Sequence, residues 1–159
     1  MKKNFELSHI GADGSPTMVD VGGKAATSRI AVAKSRLRMS EETAKVIRSG
    51  EGPKGEVLLT AKIAGIQAAK QTSQLIPLCH SFALDQVDLS AEWISEVELE
   101  WTATVKVFAK TGVEMEAMVA ASIAALTVYD MCKAIDQKME ITHVGLWFKD
   151  GGSRGLFKR

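Results

Sequence analysis

Residues 87–107 read VDLSAEWISEVELEWTATVKV, and the alternation in this stretch decides the fold. Val87, Leu89, Ala91 and Trp93 alternate with Asp88, Ser90 and Glu92. After Ile94-Ser95-Glu96, Val97, Leu99, Trp101, Ala103, Val105 and Val107 alternate with Glu98, Glu100, Thr102, Thr104 and Lys106. Successive side chains of a strand point to opposite faces, so the pattern predicts two half-buried strands paired as a hairpin with one apolar face. That face needs a cover. From Val113 to about Asp136 the stripe Val113, Ala117, Ala120, Ala124, Val128, Met131, Ile135 keeps helical period, and most other positions from Ala117 to Tyr129 are apolar too. A helix apolar on most sides is buried on most sides.

Upstream of the hairpin, Lys34, Arg36 and Arg38 recur at every second position between Ala26 and Met39, with Arg29 on the opposite parity, which predicts a strand whose charged face needs water or a partner. Ser40 then has the character of a helix N-cap, Glu41 and Glu42 suit the positive end of the helix dipole, and Gly50 closes the segment. After Glu51-Gly52-Pro53-Lys54, residues Gly55 to Thr72 carry Val57, Ala61, Ala64 and Ala68 at helical spacing, until Pro77 ends the region. Met139 to Lys149 reads as a last strand. The order strand, helices, strand, strand, helix, strand predicts an α+β, ferredoxin-like (split βαβ) antiparallel sheet with helices on one face. One domain spans residues 1–159, with a flexible arm over 1–16, a short extended piece at Thr17–Val21 and a mobile glycine-rich tail over 150–159.

Composition narrows the function classes. With 159 residues, 46% hydrophobic and 25% charged, the chain has the proportions of one ordinary domain, and its net charge of +1 gives no general pull towards nucleic acid or an anionic membrane. The N-terminal MKKNFELSHI runs into GADGSP without an apolar signal core, and the longest weakly polar run, Ala117–Tyr129, is shorter than the ~20 residues of a membrane span. Two separated cysteines, Cys79 and Cys132, fit a reducing cytoplasm.

Several residues can carry chemistry. Asp130 and Lys133 share a helix face just past the apolar run. Spacing alone reads as a surface ion pair. Partial desolvation at the end of a buried helix would lower the Lys133 pKa, against the opposing pull of Asp130. Cys79-His80 follows Ile76-Pro77-Leu78, where a hydrogen-bonded structural histidine and a buried thiol are the plain reading; zinc through Cys79, His80, Cys132 and His143 would require four scattered residues to converge. Lys54 before Gly55 at a helix start, and Lys149 and Arg154 around Gly151-Gly152, are arrangements that can enclose phosphate, although on the residues alone a solvated lysine and a disordered tail are the favoured readings. Glu114 and Glu116 lie in the first turn of the long helix, where they compensate its dipole.

Three stretches resemble the cyclic pyranopterin monophosphate synthase family: KGEVLLTAKIAGIQAAKQTSQLIPLCH (54–80), KTGVEMEAMVAASIAALTVYDMCKA (110–134) and, more weakly, FKDGGSRG (148–155). With MVDVGGKAATSR (18–29) the resemblance covers nearly the whole chain. It implies an enzyme that converts 3′,8-cyclo-7,8-dihydroguanosine 5′-triphosphate to the cyclic phosphate of a pyranopterin with loss of pyrophosphate, in molybdenum cofactor biosynthesis. Carried over by motif, the catalytic acid–base pair falls on Asp130 and Lys133, the essential lysine on Lys54 in PKGEV, and the catalytic, substrate-binding histidine on His80 in IPLCH, beside Leu78 and Cys79. Arg29 in AATSR and Lys149 before the glycine-rich tail match the family's phosphate and active-site cations, and Glu114, Met115 and Glu116 in GVEMEA its substrate-contact segment. The resemblance implies no metal ligand and no cofactor. It implies a homohexamer, a trimer of dimers, with the pocket across a subunit interface. The chain departs from the family at Ser81-Phe82, where Pro-Leu is usual, and in its tail, where GGKSGDF is common.

The residues suit that chemistry. A triphosphate needs several convergent cations, and opening a purine while closing a pterin needs repeated proton transfers, for which a carboxylate beside a lysine is suited. The rival from another class is a non-catalytic nucleotide-binding module in which the same cations hold a phosphate. An RNA-binding domain lacks support, because the strands carry no aromatic-rich motif.

Overall fold

A computed structural model describes residues 9–11, 13–50, 52, 54–152 and 155–159. The elements in chain order are β1 (Thr27–Arg38), α1 (Glu41–Ser49), α2 (Val57–Lys70), α3 (Thr72–Leu75), β2 (Gln86–Trp93), β3 (Glu98–Ala109), α4 (Glu114–Cys132), β4 (Glu140–Asp150) and β5 (Phe157–Lys158). The sheet runs β2-β3-β1-β4-β5 with every pairing antiparallel. The first four strands therefore interleave as two split β-α-β units, with β3 between β1 and β2, and β1 between β3 and β4.

The hairpin forms with apolar residues opposite one another, as the alternation predicts: Val87 lies opposite Val105, Leu89 opposite Ala103, Ala91 opposite Trp101 and Trp93 opposite Leu99. These residues and Ala31, Ala33, Ser35 and Leu37 of β1 face α2 and α4, which cover one side of the sheet. Alanine dominates that interface because small side chains let helix and sheet backbones approach. The one polar residue in the β1 row, Ser35, is fully buried and donates its hydroxyl to the Ala121 carbonyl of α4 at 2.7 Å. A buried hydroxyl without such a partner would carry a desolvation penalty of about 1–3 kcal/mol.

Both ends of α1 are built as expected. The Ser40 hydroxyl accepts from the Thr43 N–H, and Gly50 ends the helix at φ 73°, a left-handed conformation that glycine adopts without steric penalty. α4 stops at Cys132, with Lys133 as its capping residue, and not near Asp136. The Asp136 carboxylate instead accepts the Ser40 N–H at 2.8 Å and so ties the end of α4 to the start of α1.

The open face of the sheet differs from its outline in sequence. Glu100 occupies a solvent-side position but is only 4% exposed, because Lys34 and Arg36 on the neighbouring strand both close on its carboxylate, Arg36 Nε at 2.7 Å. Arg38 pairs with Glu140 at 2.6 Å. The charged row of β1 thus finds its partners within the chain. The tail also departs from expectation: Phe157 and Lys158 return as β5 against Lys149 and Phe148. Glycine makes that return possible, since Gly151 has φ 91° and a Cβ there would overlap the Ser28 carbonyl. Arg154 lies outside the described residues, and so does most of the N-terminal arm; within the arm, Ile10 and Pro16 bridge across a turn.

Gly65 sets the α2–α4 separation. A Cβ at that position would sit 2.5 Å from Leu89 Cδ2 and 2.8 Å from the Ala120 carbonyl oxygen. Gly→Ala in an exposed helix ordinarily stabilises by about 1 kcal/mol. Here Gly65→Ala is expected to destabilise by about 1–3 kcal/mol, since it forces two packed backbones apart. Urea unfolding checks this, and a midpoint at or above wild type would contradict it.

Candidate functional site

A cavity of about 350 Å³ opens where β1 begins, β4 ends and α4 starts. Its wall contains all eight residues expected to contact substrate: Arg29, Leu78, Cys79, His80, Glu114, Met115, Glu116 and Lys149. They come from four separate segments. Arg29 has the parity of Ala31 and Ala33, so the β1 pleat turns it to the helix side, away from the row of Lys34, Arg36 and Arg38. Gly152 packs against the Arg29 guanidinium so closely that a Cβ there would overlap Nη1, which brings the glycine-rich tail to the cavity rim.

Two further contacts fold the segment before β1 over this cavity. His80 Nε2 lies 2.7 Å from the Val19 carbonyl, so Nε2 carries the proton and donates it. Lys110 Nζ donates to the Gly22 carbonyl at 2.7 Å, and the Asp20 carboxylate accepts the Gly22 N–H at 2.7 Å within the same turn. Residues 17–21, expected to be extended, have no regular secondary structure. Lys110 and Lys24 both line the cavity, and neither was singled out by sequence reasoning. The available signal was their position inside the stretches KTGVEME and MVDVGGK, but lysines are too common for spacing to mark them.

The acidic side of the cavity is electrostatically uneven. Lys149 Nζ donates to Glu114 Oε1 at 2.7 Å; burial opposes ionisation of Glu114, but this bond, with Arg29 nearby, holds its carboxyl below the ordinary value. Glu116 is 5% exposed, and burial pushes its pKa up from 4.5 to about 7, with the negative charge of Glu114 adding to the rise. The Cys79 thiol is pushed up by burial and by Glu116, so it remains protonated at neutral pH and lacks the thiolate character of a nucleophile.

Asp130, Lys133 and Lys54 form a second cluster at the other end of α4. Lys133 Nζ lies 2.6 Å from Asp130 Oδ1, while Lys54 Nζ donates to the Asp130 backbone carbonyl at 3.0 Å and lies 3.5 Å from Oδ2. The side chains are 53%, 59% and 48% exposed for Lys133, Asp130 and Lys54. The expected fall in the Lys133 pKa does not occur: its hydrogen bond to Asp130 raises it, and the reciprocal bond lowers Asp130. An exposed ammonium is too little desolvated to outweigh a direct carboxylate contact. At 1.5 Å per residue, Glu114 and Asp130 are about 24 Å apart along the helix. Within one chain the expected site is therefore divided in two. Among the described residues no group of three or more His, Cys, Asp and Glu is placed to hold a metal, and the four residues considered for zinc do not converge.

The buried Glu116 makes stability depend on pH. Between 4.5 and about 7 the folded chain holds a proton that the unfolded chain has lost, so stability falls as pH rises through that window. Glu116→Gln removes the titration. Its unfolding free energy relative to wild type is expected to rise by about 2–3 kcal/mol between pH 5 and pH 8. Chemical unfolding at the two pH values tests this, and a difference that does not change with pH would contradict it.

Comparison with known proteins places the sequence in one family. Residues 18–152 match the MoaC family. The chain is 50% identical over 153 residues to a cyclic pyranopterin monophosphate synthase of Novosphingobium aromaticivorans, covering 96% of this chain and 97% of that protein. It is also 50% identical over 155 residues to the protein of that name from Desulfitobacterium hafniense, covering 98% and 95%, and 46% identical over 169 residues to that from Rhodopirellula baltica, covering 100% and 97%. The chain belongs to the MoaC family.

Proposed function

We propose that this enzyme converts 3′,8-cyclo-7,8-dihydroguanosine 5′-triphosphate to cyclic pyranopterin monophosphate and releases pyrophosphate, in molybdenum cofactor biosynthesis. The observation that carries the reading is the cavity itself, which combines Arg29, Lys149, Lys24 and Lys110 with a buried carboxyl that titrates near neutrality. The cations suit a polyphosphate, because charge-assisted hydrogen bonds to phosphate oxygens are the strong ones. Buried Glu116 suits the heterocycle, since a carboxyl that titrates near neutral pH can either give or accept a hydrogen bond there. His80, with its Nε2 proton committed to Val19, has Nδ1 left to accept a proton from substrate. Asp130 and Lys133, with Lys54, serve as the acid–base group. No cofactor takes part in this scheme. The β2-β3-β1-β4 strand order supports the ferredoxin-like reading of the fold.

The 24 Å division of the site supports assembly from more than one chain, because a single nucleotide does not reach from the cavity to Asp130 within one protomer. A homo-oligomer with the site across its interface brings the two clusters together, and a hexamer built as a trimer of dimers is the form we favour. The helix α4, although long and apolar enough to cross a membrane by composition, lies against the sheet with half its apolar window buried, as a core helix does. Free Cys79 and Cys132 support a cytoplasmic location. A non-catalytic nucleotide-binding module would have use for the cavity but none for two lysines gathered on Asp130.

Incubation with the cyclised nucleotide is expected to release pyrophosphate and a pterin product; nucleotide bound without turnover would favour the binding module. In single-turnover assays Lys133→Ala is expected to slow pyrophosphate release by about 10²- to 10⁴-fold with fold and ligand affinity retained. A folded, substrate-binding variant within about threefold of wild type would remove Lys133 from the mechanism.

A further inference from the structure

We propose that loading the cavity with a polyphosphate takes up a proton from solvent at the Glu114–Glu116 pair, so that the occupied site is held together by a neutral carboxyl. The inference rests on the reading of the cavity as a phosphate site.

Glu114 is held ionised chiefly by its one direct ion pair, with Lys149. Lys149 is also a cavity-lining cation, so a phosphate entering there claims the same ammonium. The charged and titratable groups that line the cavity with Glu116 come from every element around it: Glu114 on its own helix, Cys79 and His80 from the segment after α3, Lys149 and Asp150 from β4, Arg29 from β1, Lys110 after β3, and His9 and Lys24 before β1. None of the cations has an ion pair to Glu116. Arg29 Nε is buried with no hydrogen-bond partner, although the Arg29 Nη2 reaches towards the Lys110 carbonyl at 3.5 Å. Unsatisfied donors of this kind favour an anion in the cavity.

An arriving polyphosphate adds several negative charges within a few ångströms of two carboxyls, of which Glu116 is buried and Glu114 half-buried. A like charge disfavours the ionised form, and competition for Lys149 weakens the contact that keeps Glu114 ionised. Protonation of the pair relieves both effects. By linkage, uptake of a proton on binding means that affinity rises as pH falls. The bound site then presents a carboxylic O–H donor beside the ligand, where the empty site above neutral pH presents an acceptor.

Isothermal titration of wild-type protein with guanosine triphosphate and with inorganic pyrophosphate at about pH 8, in Tris and in HEPES, gives the protons exchanged per site from the difference in buffer ionisation enthalpy. Wild type is expected to take up close to one proton more per site than at least one of Glu116→Gln and Glu114→Gln, whichever removes the carboxyl that is protonated. Its affinity for guanosine triphosphate should weaken towards tenfold per pH unit above neutrality, where the phosphates are already ionised. Equal proton counts in wild type and both variants, or a wild-type affinity flat with pH, would overturn the inference while leaving the phosphate site intact. Failure of wild type to bind either probe would remove the phosphate reading and this inference with it.

Discussion

Everything in this protein hangs on the burial of α4 across the sheet. The helix is nearly continuous in small apolar residues, and each small residue has a structural consequence: Ala117, Ala120, Ala121 and Ala124 are fully buried, so the helix axis can lie close to β1 and β3. Gly65 allows α2 to press against Ala120 from the side, and the Ser35–Ala121 hydrogen bond fixes where along β1 the helix sits. A helix seated so tightly has its two ends placed as rigidly as its middle. Those ends carry the residues proposed for substrate binding and proton transfer.

At the N-terminal end, α4 delivers Glu114, Met115 and Glu116 into a cavity closed by three other segments. The charges there are balanced locally and narrowly: Lys149 neutralises Glu114, and Glu116 remains without a cation. A cavity arranged this way responds to an anion by redistributing protons as well as by binding it. At the C-terminal end, Lys54 and Lys133 share Asp130 in open solvent. The three groups there are about half exposed, so the pKa shifts of Asp130 and Lys133 follow simple ion pairing.

Much of this was legible in sequence because it depends on local patterns. The alternation at 87–107 specified the hairpin and its apolar face, and Ser40 and Gly50 specified both ends of α1. The motif stretches located the cavity residues, although they come from segments far apart along the chain. What was illegible depends on neighbours that no local pattern names. Glu100 alternates like a solvent-facing residue and is buried only because Lys34 and Arg36 on another strand fold over it. β5 is two residues long, and its pairing follows from the turn at Gly151 more than from the character of Phe157 and Lys158. The Lys133 pKa was misjudged because the apolar run before it implied burial, whereas the side chain emerges beside Asp130 into solvent. Lys24 and Lys110 gain significance only once the segment before β1 is folded over the cavity.

The central claim is that the two ends of α4 belong to one active site supplied by different protomers. Mixing two inactive variants tests it most directly: Lys133→Ala disables the cluster at one end and His80→Ala the cavity at the other. Protomers are dissociated, mixed in equal amounts and reassembled, and pyrophosphate release from the cyclised nucleotide is measured. If a site takes one cluster from each of two chains, random pairing regenerates intact sites, and the mixture should recover about a quarter of wild-type activity. Activity no greater than the sum of the two variants measured alone, in a mixture shown to contain hybrid oligomers, would contradict the account.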